Sequence, residues 1–197
     1  MSNTVTLPAD SNQALGLGQF AITFMHGPAG ERGEPSAAVR AKTNQFQTDA
    51  VLCGLSALAL GTNAPNVLRR EALSYRTTDH TPRFGKATHR GCTVFGSDAH
   101  VQPEKAILAN SAAVREWDSN GTNFGFNPGR KHTAGEFGHN DFYPVALAAA
   151  QLMHEDGDFA LRGMVLSDEI RGRLAEVFSL KSYKIDHVVH GGIASAA

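Results

Sequence analysis

The sequence predicts a mainly α, multi-helix domain with a short strand near residues 92–95, and three observations predict it. Apolar residues recur at helical spacing in long stretches bounded by helix start and stop residues. Cys92-Thr93-Val94-Phe95, ending at Gly96, is the one stretch that reads as a strand. The 197 residues are 42% hydrophobic and 19% charged, which suits one ordinary globular core.

Taken in order, Leu15 to Met25 is apolar and is followed by a Gly/Pro-rich loop from His26 to Pro35. Ser36 is placed to cap a helix running from Ala37 through Leu52, Leu55 and Leu58 to Leu60, where Gly61 stops it. Small and apolar residues on most faces between Ala50 and Leu60 predict a helix buried on more than one side. Asn63-Ala64-Pro65 starts a new segment, and Arg76 to Gly91 is polar and irregular. Pro103, favourable in a first turn, opens a helix that runs to Trp117. Asp118 to Asn140 is a long connection rich in Gly, Asn and His, and connections of that length are usually functional or disordered. Helical segments follow at Val145 to Met153 and Phe159 to Phe178, and a last apolar segment begins near His187. That segment reaches Ala197 with no basic last turn and no capping glycine, so the chain reads as the truncated front part of something longer.

Composition excludes several functions. With 18 Lys+Arg against 19 Asp+Glu the net charge is −1, which gives no basic face for nucleic acid or an anionic membrane. No apolar run reaches the roughly 18 residues of a spanning helix. The N-terminus lacks the regions of a signal peptide, and two cysteines are too few for a disulfide scaffold. These features predict a soluble, cytoplasmic protein. Familiar motifs also fail. Gly16-Leu17-Gly18 lacks a preceding strand and has Ala21 where a third glycine belongs. His154-Glu155 meets Asp158 instead of a second zinc-binding histidine, and Asp118-x-Asn120 fails as a calcium loop at Asn123 and Gly129. No metal site and no cofactor are expected.

What remains is Glu116 to Gly125 followed by His132 to Asp141, where a carboxylate, a hydroxyl and two imidazoles share a loop between helices. Imidazole titrates nearest neutrality and suits general acid–base work. Asn120, Asn123 and Thr122 can orient carboxylate oxygens by hydrogen bonds, and Arg130 and Lys131 can supply positive charge.

From about Ala41 onward the chain resembles the N-terminal helical part of the MmgE/PrpD family. A helix of the pattern D-x-L-x-C-x-L-x-A-L corresponds to Asp49 through Leu60, followed by Thr93-Val94-Phe95-Gly96-Ser97 and by Pro103-Glu104 through Asn110. The family's D-x-x-D-T is represented by Asp118 and Thr122, its E-x-x-x-R-L by Glu169, Arg173 and Leu174, and its D-H-V-V by Asp186 to Val189. The chain departs from the pattern at Gly121, where the second Asp belongs, and at Asn140, where His-Pro becomes His139-Asn140.

The resemblance implies a 2-methylcitrate dehydratase-like hydro-lyase of propionate catabolism, acting on a small di- or tricarboxylate without metal or flavin. Its alternatives are an epimerase or decarboxylase on the same scaffold, or an inactive fragment or helical interaction module. Residues 1–197 would form a partial all-helical domain, without the second α/β domain and its active-site lysine, and the protein would be a homodimer. His139 would transfer the proton, with His132 competing for that role. His187 would serve as a second acid–base or positioning group, and Asp118 and Thr122 would hold the imidazole or the substrate hydroxyl. Glu169 and Arg173, four residues apart on a helix, read as a structural ion pair.

Overall fold

Alanine is the commonest residue on the helix contact faces of this fold. The computed structural model describes residues 10–77, 91–123, 129, 137–178 and 180–197. Among them are α1 (Gln13–His26), α2 (Ala37–Ala59), α3 (Asn63–Ala72), α4 (Pro103–Arg115), α5 (Tyr143–Met153), α6 (Gly157–Val177) and α7 (Val188–Ala196). The mainly α reading is therefore borne out. No single helix among the described residues is long and apolar enough to cross a membrane.

Local chemistry explains the starts. The Asn12 side chain accepts from the Leu15 N–H at 3.0 Å, Ser36 Oγ from Val39 at 3.3 Å and Asp156 from Phe159 at 3.0 Å. Of these, Ser36 is the cap the sequence predicts. Helix α4 stops at Arg115, two residues short of Trp117, and α5 begins at Tyr143, two residues before Val145. The expected ion pair between Glu169 and Arg173 forms at 2.8 Å on the surface.

The strand is shorter than predicted. Only Cys92–Thr93 pairs, antiparallel to an unanticipated partner, His100–Val101. Beyond Thr93 the side chain of Asn110 replaces the ladder, accepting from the Phe95 N–H at 2.9 Å and donating to the Thr93 carbonyl at 3.0 Å. The expectation for Arg76 to Gly91 falls largely outside the described residues.

Helix α4 packs against α2, α3 and α5, while α6 packs against α1, α2, α5 and α7. Between these two hubs a single 3₁₀ turn, His139–Phe142, touches α2, α4, α5, α6 and α7. Close approach is possible because the contact faces are small: Ala106, Ala109 and Ala113 on α4, Ala148 and Ala150 on α5, and Ala160 on α6 are all buried. Helix α2 corrects the expectation of burial on several sides. It buries Thr43, Ala50, Gly54 and Ala57, whereas Leu52 is 61% and Leu60 72% exposed. The small residues form the face that nests on α4, and the leucines point away from it.

Gly54 shows how tight that face is. A methyl group there would lie 2.7 Å from the Phe95 ring and 3.5 Å from Ala113 Cβ. Gly54→Ala is expected to destabilise by about 1–3 kcal/mol through overpacking, beyond any helix-propensity gain. Gly18→Ala in α1, where a methyl meets nothing within 4 Å, is expected to stabilise by about 0.5–1 kcal/mol. Urea denaturation of both variants checks the contrast; equal changes would contradict it.

Candidate active site

The turn at His139–Phe142 is built around buried polar groups. Gly138, just before it, has φ +59°, and a side chain there would strike Asp141 Oδ2 at 2.8 Å. His139 and Asn140 are fully buried and Asp141 nearly so. Their hydrogen-bond partners come from two segments distant in sequence. Asn120, in the loop after α4, donates from Nδ2 to Asn140 Oδ1 and to Asp141 Oδ1, each at 2.7 Å. Asn140 donates from its own Nδ2 to the Phe46 carbonyl and to Asp49 Oδ2 on α2, each at 2.9 Å. The same Asp49 oxygen accepts the Gly121 N–H at 2.8 Å. These donors all meet acceptors, which fixes both amide orientations. Asn120 Oδ1 is left buried with no hydrogen-bond partner among the described residues.

The His139 imidazole sits inside this knot. The Phe46 ring meets it edge-on at 4.4 Å and Tyr143 at 5.7 Å. Gly121, at φ +75°, lies over a third side: a side chain there would come within 2.9 Å of His139 Nδ1 and 2.7 Å of Asn140 Oδ1. The acidic residue of the family pattern has no room on this backbone. Arg171 of α6 closes the site from behind, buried, donating to the carbonyls of Phe137 at 3.2 Å and Gly138 at 3.4 Å and lying 4.9 Å over the Phe142 ring.

Burial pushes the His139 pKa down to about 4, with Arg171 adding to the effect and Asp49 opposing it. The imidazole is therefore neutral at neutral pH. Burial lifts Asp168 to about 7, against the Tyr143 hydroxyl that donates to it at 2.7 Å and against Arg171. Burial also raises Asp141, opposed by the Asn120 bond and by Arg115.

Not all the residues chosen from sequence gather here. His139 and Asn120 do. Asp118 turns outward, 71% exposed, onto Arg115 at 2.8 Å, so its partner is a guanidinium and not the imidazole. Thr122 and Asn123 are exposed. His187 occupies the N-cap position of α7 without a side-chain capping bond, half-buried, with Nδ1 3.4 Å from Asp186. Arg130, Lys131 and His132 lie outside the described residues. Sequence reasoning missed Asp49, Tyr143, Asp168 and Arg171 as site residues. Asp168 and Arg171 carried a usable signal, being charged residues three apart on the core-facing side of a helix.

With that geometry in hand, comparison adds one finding: a family model of the MmgE/PrpD N-terminal domain matches residues 31–197. The chain belongs to the MmgE/PrpD family. The match covers all three elements of the knot and starts upstream of Ala41, where the motifs become legible. No solved structure matches the chain. Among the described residues of this MmgE/PrpD domain, no group of three or more His, Cys, Asp or Glu side chains could hold a metal ion.

The two shifted groups make opposite contributions to stability. His139 favours the fold above its ordinary 6.5, and that contribution is lost as pH falls towards about 4. Asp168 favours the fold below its ordinary 3.8, and its contribution is lost as pH rises through about 7. Relative to the wild type, His139→Gln should therefore lose stability as pH rises between about 4.5 and 6.5, and Asp168→Asn should gain it, each by on the order of 1 kcal/mol per pH unit. Urea melts across that range test the signs, and parallel curves for the two variants would contradict the assignment.

Proposed function

We propose that this domain supplies the proton-transfer machinery of a hydro-lyase of the 2-methylcitrate dehydratase kind, acting on a small tricarboxylate. The observation that carries the reading is the neutral imidazole of His139, held between Phe46, Tyr143 and Gly121 by hydrogen bonds that leave the turn little freedom. A base must be unprotonated before it acts, and burial keeps the ring neutral, although the same burial weakens its hold on a proton until water or substrate reaches it. In the reaction, an imidazole nitrogen takes the proton from the carbon next to a carboxylate. The C–H electron pair becomes the new double bond, and the neighbouring hydroxyl leaves as water with a proton from an acid, the role given to His187. Arg130 and Lys131, with Thr122 and Asn123, would bind the carboxylates and steady the charge that builds on them. At 1% exposed, His139 meets a substrate carbon only after one of its walls parts, so a conformational step precedes chemistry in this reading.

The departures at Gly121 and Asn140 favour a second reading on the same scaffold, epimerisation or decarboxylation. Gly121 cannot carry a second carboxylate, and Asn140 is committed to the knot. The exposed leucines of α2 and the apolar residues Val188, Val189 and Ile193 of α7 support association as a homodimer.

The resemblance puts an α/β domain and a further lysine in the active site, so kinetics are measured on a protein carrying both. There His139→Gln should lower kcat by on the order of 10²–10⁴-fold with fold intact, while His132→Gln should mainly raise KM. Dehydration of 2-methylcitrate, decarboxylation of cis-aconitate and epimerisation of a dicarboxylate, assayed side by side, separate the readings. The reverse pattern for the two histidines would transfer the role to His132.

A further inference from the structure

We propose that Asp49 is a positioning residue for His139: its Oδ2 holds the Gly121 N–H and the Asn140 amide together, keeping loop backbone and turn closed around the imidazole. The inference rests on the reading of His139 as the proton-transfer group. The geometry is economical. Gly121 N lies 2.8 Å from that oxygen and Asn140 Nδ2 lies 2.9 Å from it. Gly121 is the residue whose backbone lies against the Nδ1 edge of the ring, and Asn140 is the chain neighbour of His139. A single acceptor on α2 therefore fixes both the cover of the imidazole and the segment that carries it. Asp49 touches no candidate substrate group, so its role runs through His139.

The charged and titratable groups around the ring are known from every packed element. Helix α2 brings Asp49, and Lys42 5.7 Å over the Phe46 ring. Helix α4 brings Arg115, 3.7 Å from Asp141 of the turn itself. Tyr143 comes from α5, and Asp168 and Arg171 from α6. The only titratable side chain on α7 is His190. Of these, Asp49 favours the imidazolium while Arg171 opposes it.

Two substitutions separate position from charge. In Asp49→Asn the amide oxygen can accept both hydrogen bonds, so the cover stays and the negative charge is lost. In Asp49→Ala both bonds are lost and water gains the ring. The experiment is histidine NMR titration of the 197-residue chain, with amide hydrogen exchange at Gly121. For Asp49→Ala we expect Gly121 exchange roughly tenfold faster or more, and the His139 pKa rising by about one pH unit or more from its value near 4 as the desolvation is relieved. For Asp49→Asn we expect Gly121 to stay protected and the His139 pKa to stay level or fall. Asp49→Ala behaving as wild type in both readouts would overturn the proposal, and so would Asp49→Asn behaving as Asp49→Ala. If circular dichroism shows Asp49→Ala unfolded, Asp49→Asn decides: retained protection without a raised pKa supports the proposal, and lost protection or a raised pKa overturns it. Neither readout needs turnover. An active His139→Gln enzyme would remove the proton-transfer reading while leaving the NMR result standing.

Discussion

A carboxylate drawn part-way out of water needs donors to replace the lost solvent, and at Asp49 those donors come from two segments far away in the chain. That constraint organises the molecule. Gly121 follows α4, Asn140 precedes α5, and Asp49 stands on α2, so satisfying one oxygen brings three helices into register. Asn120 completes the circuit by donating to both Asn140 and Asp141. Each hydrogen bond to a charged group contributes on the order of 1.5–3 kcal/mol, but desolvation offsets much of it. The network therefore specifies one arrangement more than it adds stability.

Small residues make room for this polar centre. With alanine along the contact faces of α4, α5 and α6, the helices approach closely enough for short side chains such as Asn and Asp to bridge them. Larger apolar groups there would separate α2 from the turn and break the bonds at Asp49. The same dense surroundings set the protonation of the site. The His139 pKa falls and that of Asp168 rises for a single reason: burial disfavours the charged form of each. A neutral imidazole thus follows from packing, with Arg171 and Asp49 as opposing corrections.

Much of the fold was legible in the sequence because its signals are local. Ser36 reads as a cap and behaves as one, Pro103 opens α4, and the apolar segment near His187 becomes α7. Helix α2 misled because hydrophobicity says what avoids water, whereas packing selects for fit. There Gly54 and Ala57 outcompete Leu52 and Leu55 for the interior. His139 was legible from its context, Gly138 before it and a proline-led helix after it. Asp118 was not, since sequence spacing cannot show that Arg115, one turn earlier, draws its carboxylate to the surface. Asp49 was invisible as a site residue for a related reason. Its partners Gly121 and Asn140 lie far along the chain, and no local pattern encodes those contacts.

The account stands on the knot acting as one unit, and a double-mutant cycle tests that most directly. Asp49 and Asn120 do not bond to each other; both bond to Asn140. Urea unfolding of Asp49→Ala, Asn120→Ala and the pair gives their coupling. A shared network predicts non-additivity of at least about 1 kcal/mol, the second loss costing less once the first has opened the turn. Additivity within about 0.3 kcal/mol would mean that the two residues act separately, and the account of how His139 is held would be wrong.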